Sequence, residues 1–194
     1  MKFLLILTAI TCASAQGVSF SQEAGRVHVQ INGQDFTSFH YSSNYAKPFL
    51  QPIRSAGGKE VTRAFPLAQR EGEHTDHPHH RGLWWGHGDI NGIDFWLEKD
   101  PSKTGRLVIK GQPVLTPDAI TSEFDLVQPD GKSLGTVTQS YLFSSQKDHR
   151  FIDVTITLKA DKNQNITFGD SEEGTMGLRL RDEFRQDRGA TLLN

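Results

Sequence analysis

From Val18 onward, apolar and polar residues alternate at a period of two, the spacing of strands with one covered face. Residues 18–21 and 26–31 flank a turn-like break at Gln22-Glu23-Ala24-Gly25. Asn32-Gly33 then gives a hairpin signal, because both residues accept positive φ. A further strand is predicted over 36–41. Between Tyr45 and Arg70 the alternation is interrupted by Pro48, Pro52, Gly57-Gly58 and Pro66, leaving room for one short strand at 60–65. It resumes at 107–110, 120–127, 136–143 and 151–159, with a turn at Pro129-Asp130-Gly131. In the last of these, Ile152, Val154, Ile156 and Leu158 share one face, and Asp153, Thr155 and Thr157 share the other. Residues 176–184 read as a final strand. No amphipathic helical stretch of useful length interrupts this series. The pattern predicts an all-β domain, an antiparallel β-sandwich.

The first residues follow another rule. In MKFLLILTAITCASAQ, Lys2 precedes an apolar run from Phe3 to Ile10, and Ala13-Ser14-Ala15 supplies small residues for cleavage. That is the order of a secretory signal peptide, so residues 1–15 are expected to be removed, residues 16–194 to form one domain, and the protein to be exported. The single cysteine, Cys12, falls in the leader. The mature domain therefore has no disulfide, thiolate nucleophile or zinc–thiolate site. The net charge is -2, with both signs mixed and no basic run, so a nucleic-acid partner is not expected. No later stretch has the roughly 20 apolar residues of a membrane helix.

Candidate chemistry concentrates in EGEHTDHPHHRGLWWGHGDINGIDFW, residues 71–96, where His74, His77, His79, His80 and His87 account for five of eight histidines. In extended backbone His77 and His79 project to one side. Two imidazoles so placed can hold a divalent transition metal, zinc or similar, with a third or fourth ligand from nearby; His74, Asp76, His80, His87 and Asp89 are the candidates, and His87 is taken first. Without a metal, His77, His79 and His80 are candidate catalytic acids and bases. In a third reading the histidines bond carbonyls of a long loop. Pro78 keeps the segment out of a central strand. Neither a serine-nucleophile elbow nor a nucleotide-binding glycine motif is present, so a nucleotide cofactor is not expected.

The flanking residues suggest a sugar-like ligand. Trp84 and Trp85 are candidates to stack on a ring, although alternation places at least one in the core. Arg63, Arg81 and Asp89 are candidates to hold hydroxyls or acidic groups. Glu173, in Ser171-Glu172-Glu173-Gly174, is a candidate carboxylate partner for the histidines. Asn91-Gly92, between two strand-like runs, reads as a hairpin turn, and Phe95 and Trp96 are expected in the core.

The blocks KPFLQPIRSAGGKEVTRAFP, REGEHTDHPHHRGLWWGHGDINGIDFW and FGDSEEGTMGLRLRDEF together resemble the PmoA-like family of exported bacterial proteins, often labelled methane oxygenase. The resemblance implies a largely β protein whose relatives accompany sugar-processing enzymes. It also implies a chain continuing beyond Asn194, so that this domain is a fragment of a larger supersandwich-like one. Methane oxidation within a membrane is set aside, since no membrane-spanning run follows the leader. The leading expectation is an exported carbohydrate-active enzyme of the lyase, epimerase or hydrolase type. The alternatives are a non-catalytic glycan-binding module and an exported metal-binding protein.

Overall fold

The computed structural model describes residues 17–191; the expected signal peptide lies outside them. Strands β1 (Val18–Glu23), β2 (Arg26–Ile31), β3 (Gln34–His40), β4 (Phe49–Leu50), β5 (Leu83–Trp85) and β11 (Met176–Leu178) form one sheet, in the order β1-β2-β3-β4-β5-β11. The second sheet orders β10 (His149–Ala160), β9 (Ser133–Gln146), β8 (Ala119–Val127) and β6 (Arg106–Ile109), with β7 (Val114–Leu115) also paired to β8. Every named strand pair is antiparallel. The fold is an antiparallel β-sandwich, as the alternation predicts. Among the described residues no helix is long and apolar enough to cross a membrane.

The core lies between the sheets. Val27, Val29, Ile31, Phe39, Leu50 and Trp85 from the first sheet meet Ile120, Phe124, Leu126, Val137, Tyr141 and Phe143 from the second. Ile152, Val154, Ile156 and Leu158 pack against this cluster from β10, so the predicted face is the one that turns inward. The hairpins form where their turn residues predict. Asn32 and Gly33 take φ of 53° and 73°, and Asn91 and Gly92 take 55° and 80°.

Two predicted strands change. Residues 60–65 form only isolated bridges, Arg54 with Glu60 and Thr62 with Leu180. The predicted last strand is ordered only over Met176–Leu178. It then bridges to Thr62 and gives way to a short 3-10 turn at Asp182–Phe184. There the Asp182 carboxylate accepts from the backbone N–H of His74 at 2.7 Å and from its Nδ1–H at 2.5 Å, a long-range contact that ties the turn to the 51–82 segment.

The outer face of the six-stranded sheet positions the site. His40 pairs with Phe49, Phe49 with Trp84, and Trp84 with Gly177, forming one row across four strands. The His40 and Phe49 rings stack at 4.7 Å. A glycine is required at 177, since a Cβ there would lie 2.3 Å from Trp84 Cζ2. The 51–82 excursion between β4 and β5 runs past this row. It enters β5 through Gly82, at φ +48°, where a Cβ would strike Leu50 O at 1.9 Å.

Candidate functional site

The 51–82 excursion is held by a buried cation. Arg63 is 0% exposed, and its Nη1 donates to Asp76 Oδ1 at 2.5 Å while its Nη2 donates to His77 O at 3.0 Å. Arg179 adds a donor to the same Asp76 oxygen at 2.9 Å. Burial alone would raise the Asp76 carboxyl. The hydrogen bond from His77 and the charges of Arg179 and Arg63 outweigh it and hold Asp76 well below the usual carboxylate range. Asp76 Oδ2 accepts from His77 Nδ1–H at 2.7 Å, which leaves His77 Nε2 as the free lone pair.

His77 itself sits at φ +46°, a conformation that costs a non-glycine residue about 1–3 kcal/mol and commonly marks functional positions. The segment is not extended as the spacing argument assumed. His80 N–H donates to His77 O at 3.0 Å, so residues 77–80 make a turn with Pro78 and His79 at its corners. The turn still gathers three imidazoles. The His77 and His80 rings stack at 4.8 Å, His79 meets His80 edge-on at 4.4 Å, and His77 and His79 are 5.8 Å apart.

Their roles differ. Trp96 Nε1–H donates to His80 Nε2 at 3.1 Å, and the His80 ring stacks on Trp84 at 4.9 Å, so His80 is a fixed strut. His79 is buried, and its Nε2 has no hydrogen-bond partner among the described residues. His77 is half exposed, with a side chain 52% accessible. Burial, reinforced by the charge of Lys47, lowers His79 to about 4. Burial, reinforced by His79 and His77, lowers His80 to about 3. At neutral pH both are uncharged.

Beneath the rings lies an ion triad that sequence spacing does not reveal. Lys47 Nζ donates to Glu98 Oε1 at 2.7 Å and to Trp96 O at 2.5 Å. Arg81 grips both Glu98 oxygens, at 2.9 and 2.8 Å, and lies over the Tyr45 ring at 4.9 Å.

A pH dependence follows. His40 is also lowered to about 4, by burial first, despite its donated bond to Gln51 O. In the unfolded chain these histidines titrate near 6.5, so between that value and about 4 the unfolded state binds more protons than the folded one. Stability contributed by neutral His40, His79 and His80 is complete above pH ~6.5 and is lost as pH falls toward ~4. Urea midpoints measured at neutral pH and at about pH 5 should show the lower value in acid. Equal midpoints would contradict the burial of these rings.

The remaining predicted residues lie elsewhere or are engaged internally. His87 Nε2–H donates to Gly169 O at 3.1 Å, and its ring meets Phe168 at 5.1 Å, partners not shared by the other three histidines. Asp89 Oδ1 caps the Asn91-Gly92 turn by accepting from Gly92 N–H at 2.8 Å. Ser171 and Glu173 pack against Gly88, so Glu173 belongs to the neighbourhood of His87 and Asp89. Among the described residues no three His, Cys, Asp or Glu side chains converge as a metal-binding group. Arg63 and Arg81 clamp Asp76 and Glu98 instead of facing solvent. Trp84 and Trp85 are 3% and 5% exposed; Trp85 joins the main core, and Trp84 packs with Phe49 and Trp96. Sequence reasoning missed Asp76 as the partner of His77 (an acid directly before a histidine was the available signal) and the whole Lys47–Glu98 pair.

A profile described as a family of unknown function, DUF6807, matches residues 26–194. No curated protein and no solved structure matches the chain.

Proposed function

The chain belongs to this family of unknown function, DUF6807, and we propose that its Asp76–His77 pair, with His79 beside it, is the acid–base site of an exported carbohydrate-active enzyme of the lyase, epimerase or hydrolase type. The observation that carries the proposal is the polarity of the pair. Asp76 fixes the His77 tautomer, so the solvent-accessible Nε2 is a base presented to a substrate. Arg63 and Arg179 keep Asp76 ionised, and an ionised partner stabilises the imidazolium that forms when His77 takes a proton. His79, buried and uncharged, packs edge-on beside His77 and adds no competing charge to the pair. A sugar, or an oxidised sugar with an acidic proton beside its carbonyl, offers such a base both a proton to remove and hydroxyls to hold.

Two observations weigh on the alternatives. A glycan-binding module would present an aromatic face to the sugar ring, and the faces of Trp84 and Trp85 are buried. A divalent transition metal fits the site in part. His77 Nε2 and His79 Nε2 would hold it, with the Asp76 carboxylate orienting His77 as carboxylates orient metal-bound histidines, and it would supply Lewis acidity to a sugar oxygen. The rest of its coordination would come from substrate or water, since His87 is engaged with Gly169.

The test is incubation of the protein in D2O with aldoses, uronic acids and keto-sugars, followed by proton NMR. Deuterium uptake or product formation is expected with the wild type, and neither with a folded His77→Ala/His79→Ala double variant. Equal conversion by that variant, or none by the wild type across the panel, overturns the proposal.

A further inference from the structure

The Asp76–His77 pair has a counterpart three residues upstream. His74 Nδ1–H donates to Asp182 Oδ2 at 2.5 Å, and the same oxygen accepts from the His74 backbone N–H at 2.7 Å. The Asp182 side chain is 5% exposed and the His74 side chain 47%. Burial alone would raise the Asp182 carboxyl; the hydrogen bonds from His74 outweigh it and hold the group below its ordinary value. Nδ1 therefore carries the proton, and Nε2 of a half-exposed ring is left as the free nitrogen. The carboxylate arrives from 108 residues away. A ring already half in water gains little stability from such a pair. Fixing which nitrogen bears the proton is what a proton-transfer group requires.

The two pairs border one cation. Arg63 Nη2 donates to His77 O at 3.0 Å and Nη1 to His74 O at 3.4 Å, and the charge of Asp182 acts on the same guanidinium. Thr62 bridges to Leu180, and Arg63 N–H donates to Arg179 O at 3.1 Å. That pairing carries Arg179 to Asp76 and Asp182 to His74. His74 nevertheless stands outside the imidazole cluster. His77, His79 and His80 touch one another, and among the described residues His74 makes no ring contact with any of them. Two oriented imidazoles that share a wall without touching leave room for a substrate carbon. Arg179 spends Nη2 on Asp76, at 2.9 and 3.2 Å, and its side chain is 25% exposed, so Nη1 and Nε remain for a substrate oxygen.

We propose that His74, oriented by Asp182, is the second proton-transfer group of this site, and that the two histidines together invert a carbon beside the carbonyl of a sugar, a proposal that rests on the Asp76–His77 base and selects epimerase from its three reaction types. His77 Nε2 takes the proton from that carbon. The C–H electron pair becomes the C=C bond of an enediolate, and the carbonyl π pair moves onto oxygen, the charge that Arg179 offsets. His74, entering the cycle protonated, gives the proton on Nε2 to the opposite face of the carbon. The carbonyl re-forms and the C–H bond is restored with inverted configuration. One proton goes to His77 and one comes from His74; exchange with water resets both rings, and no oxidant or reductant is consumed.

D-Fructose and D-glucose, incubated with the protein in D2O, test this by proton NMR, which reads deuterium beside the carbonyl and the epimers D-psicose and D-mannose. The wild type is expected to form the epimer of at least one sugar, deuterated at the inverted carbon. The decisive variant is His74→Asn, whose amide N–H takes the place of Nδ1–H and keeps the bond to Asp182 while Nε2 is lost. It should form epimer at least about 100-fold more slowly. It should still place deuterium in the unchanged sugar, because His77 removes a proton and returns a deuteron to the same face. Epimer formation by His74→Asn at the wild-type rate, or exchange and epimer formation falling together, overturns the assignment of His74 and leaves His77 as the base. Exchange by the wild type without any epimer does the same. Neither exchange nor epimer from the wild type overturns the Asp76–His77 base, and this inference with it.

Discussion

A His77→Ala variant is expected to lose about 100- to 10,000-fold in kcat/KM on the sugar the wild type converts, the range a positioned general base contributes. Its unfolding midpoint should hardly move. The His77 side chain is half exposed, its one side-chain hydrogen bond goes to Asp76, and it touches the other rings only by stacking on the surface of His80 and meeting His79 edge-on. Removing it opens no core. Asp76 also keeps its bonds from Arg63 and Arg179 in the variant, so the turn backbone stays anchored through His77 O. The loss should fall on kcat, since a base acts in the transition state while the hydroxyl contacts that set KM lie outside it. Added imidazole, which can enter the space left by the side chain, should restore part of the rate. A variant that keeps its kcat, or one whose KM alone rises, would assign His77 to binding and remove the acid–base reading.

How far the site was legible depends on the range of each interaction. Hairpin turns are written in two residues, so Asn32-Gly33 and Asn91-Gly92 were readable, as was the inward face of β10 from strict alternation. Clustering of His77, His79 and His80 was also readable, though for the wrong geometric reason: a turn at Pro78 gathers them, not an extended strand. What could not be read is long-range. Lys47 and Glu98 are 51 residues apart, and nothing local to either announces a buried pair. Arg63 stands in a segment, Val61 to Phe65, that looks like a strand. Its burial is set by Asp76 and by carbonyls 11 and 14 residues away. His87 and Glu173 have the right chemistry for the histidine cluster. The pairing of residues 86–91 with 167–175 carries both toward Gly88 and Gly169 instead. Trp84 reads as a ligand platform only until Gly177 is seen to admit its indole against β11.

Glu98→Gln should be the most damaging conservative substitution beneath the site, costing about 3–5 kcal/mol, the range found when one partner of a buried ion pair is removed. Among the described residues Glu98 is the only acid bonded to both Lys47 and Arg81, and their side chains are 2% and 12% exposed. Burial alone would raise the Glu98 carboxyl; Lys47 and Arg81 reverse that and keep it ionised, while burial pulls the Lys47 ammonium down. A neutral amide of the same shape leaves two buried cations facing each other and replaces a two-oxygen acceptor with one oxygen and one competing donor. Guanidine unfolding should therefore show a large drop in midpoint with an unchanged slope. Replacing the pair together, as Lys47→Met/Glu98→Leu, should cost less than Glu98→Gln, because it leaves one unpaired cation, Arg81, instead of two. The effect should reach the histidines as well. Lys47 also donates to Trp96 O, and Trp96 holds His80 Nε2, so losing the triad loosens the wall against which His79 and His80 stand. A loss below about 1 kcal/mol would mean that the three charges behave as a hydrated surface cluster. The histidine turn would then rest on Arg63 and Asp76 alone.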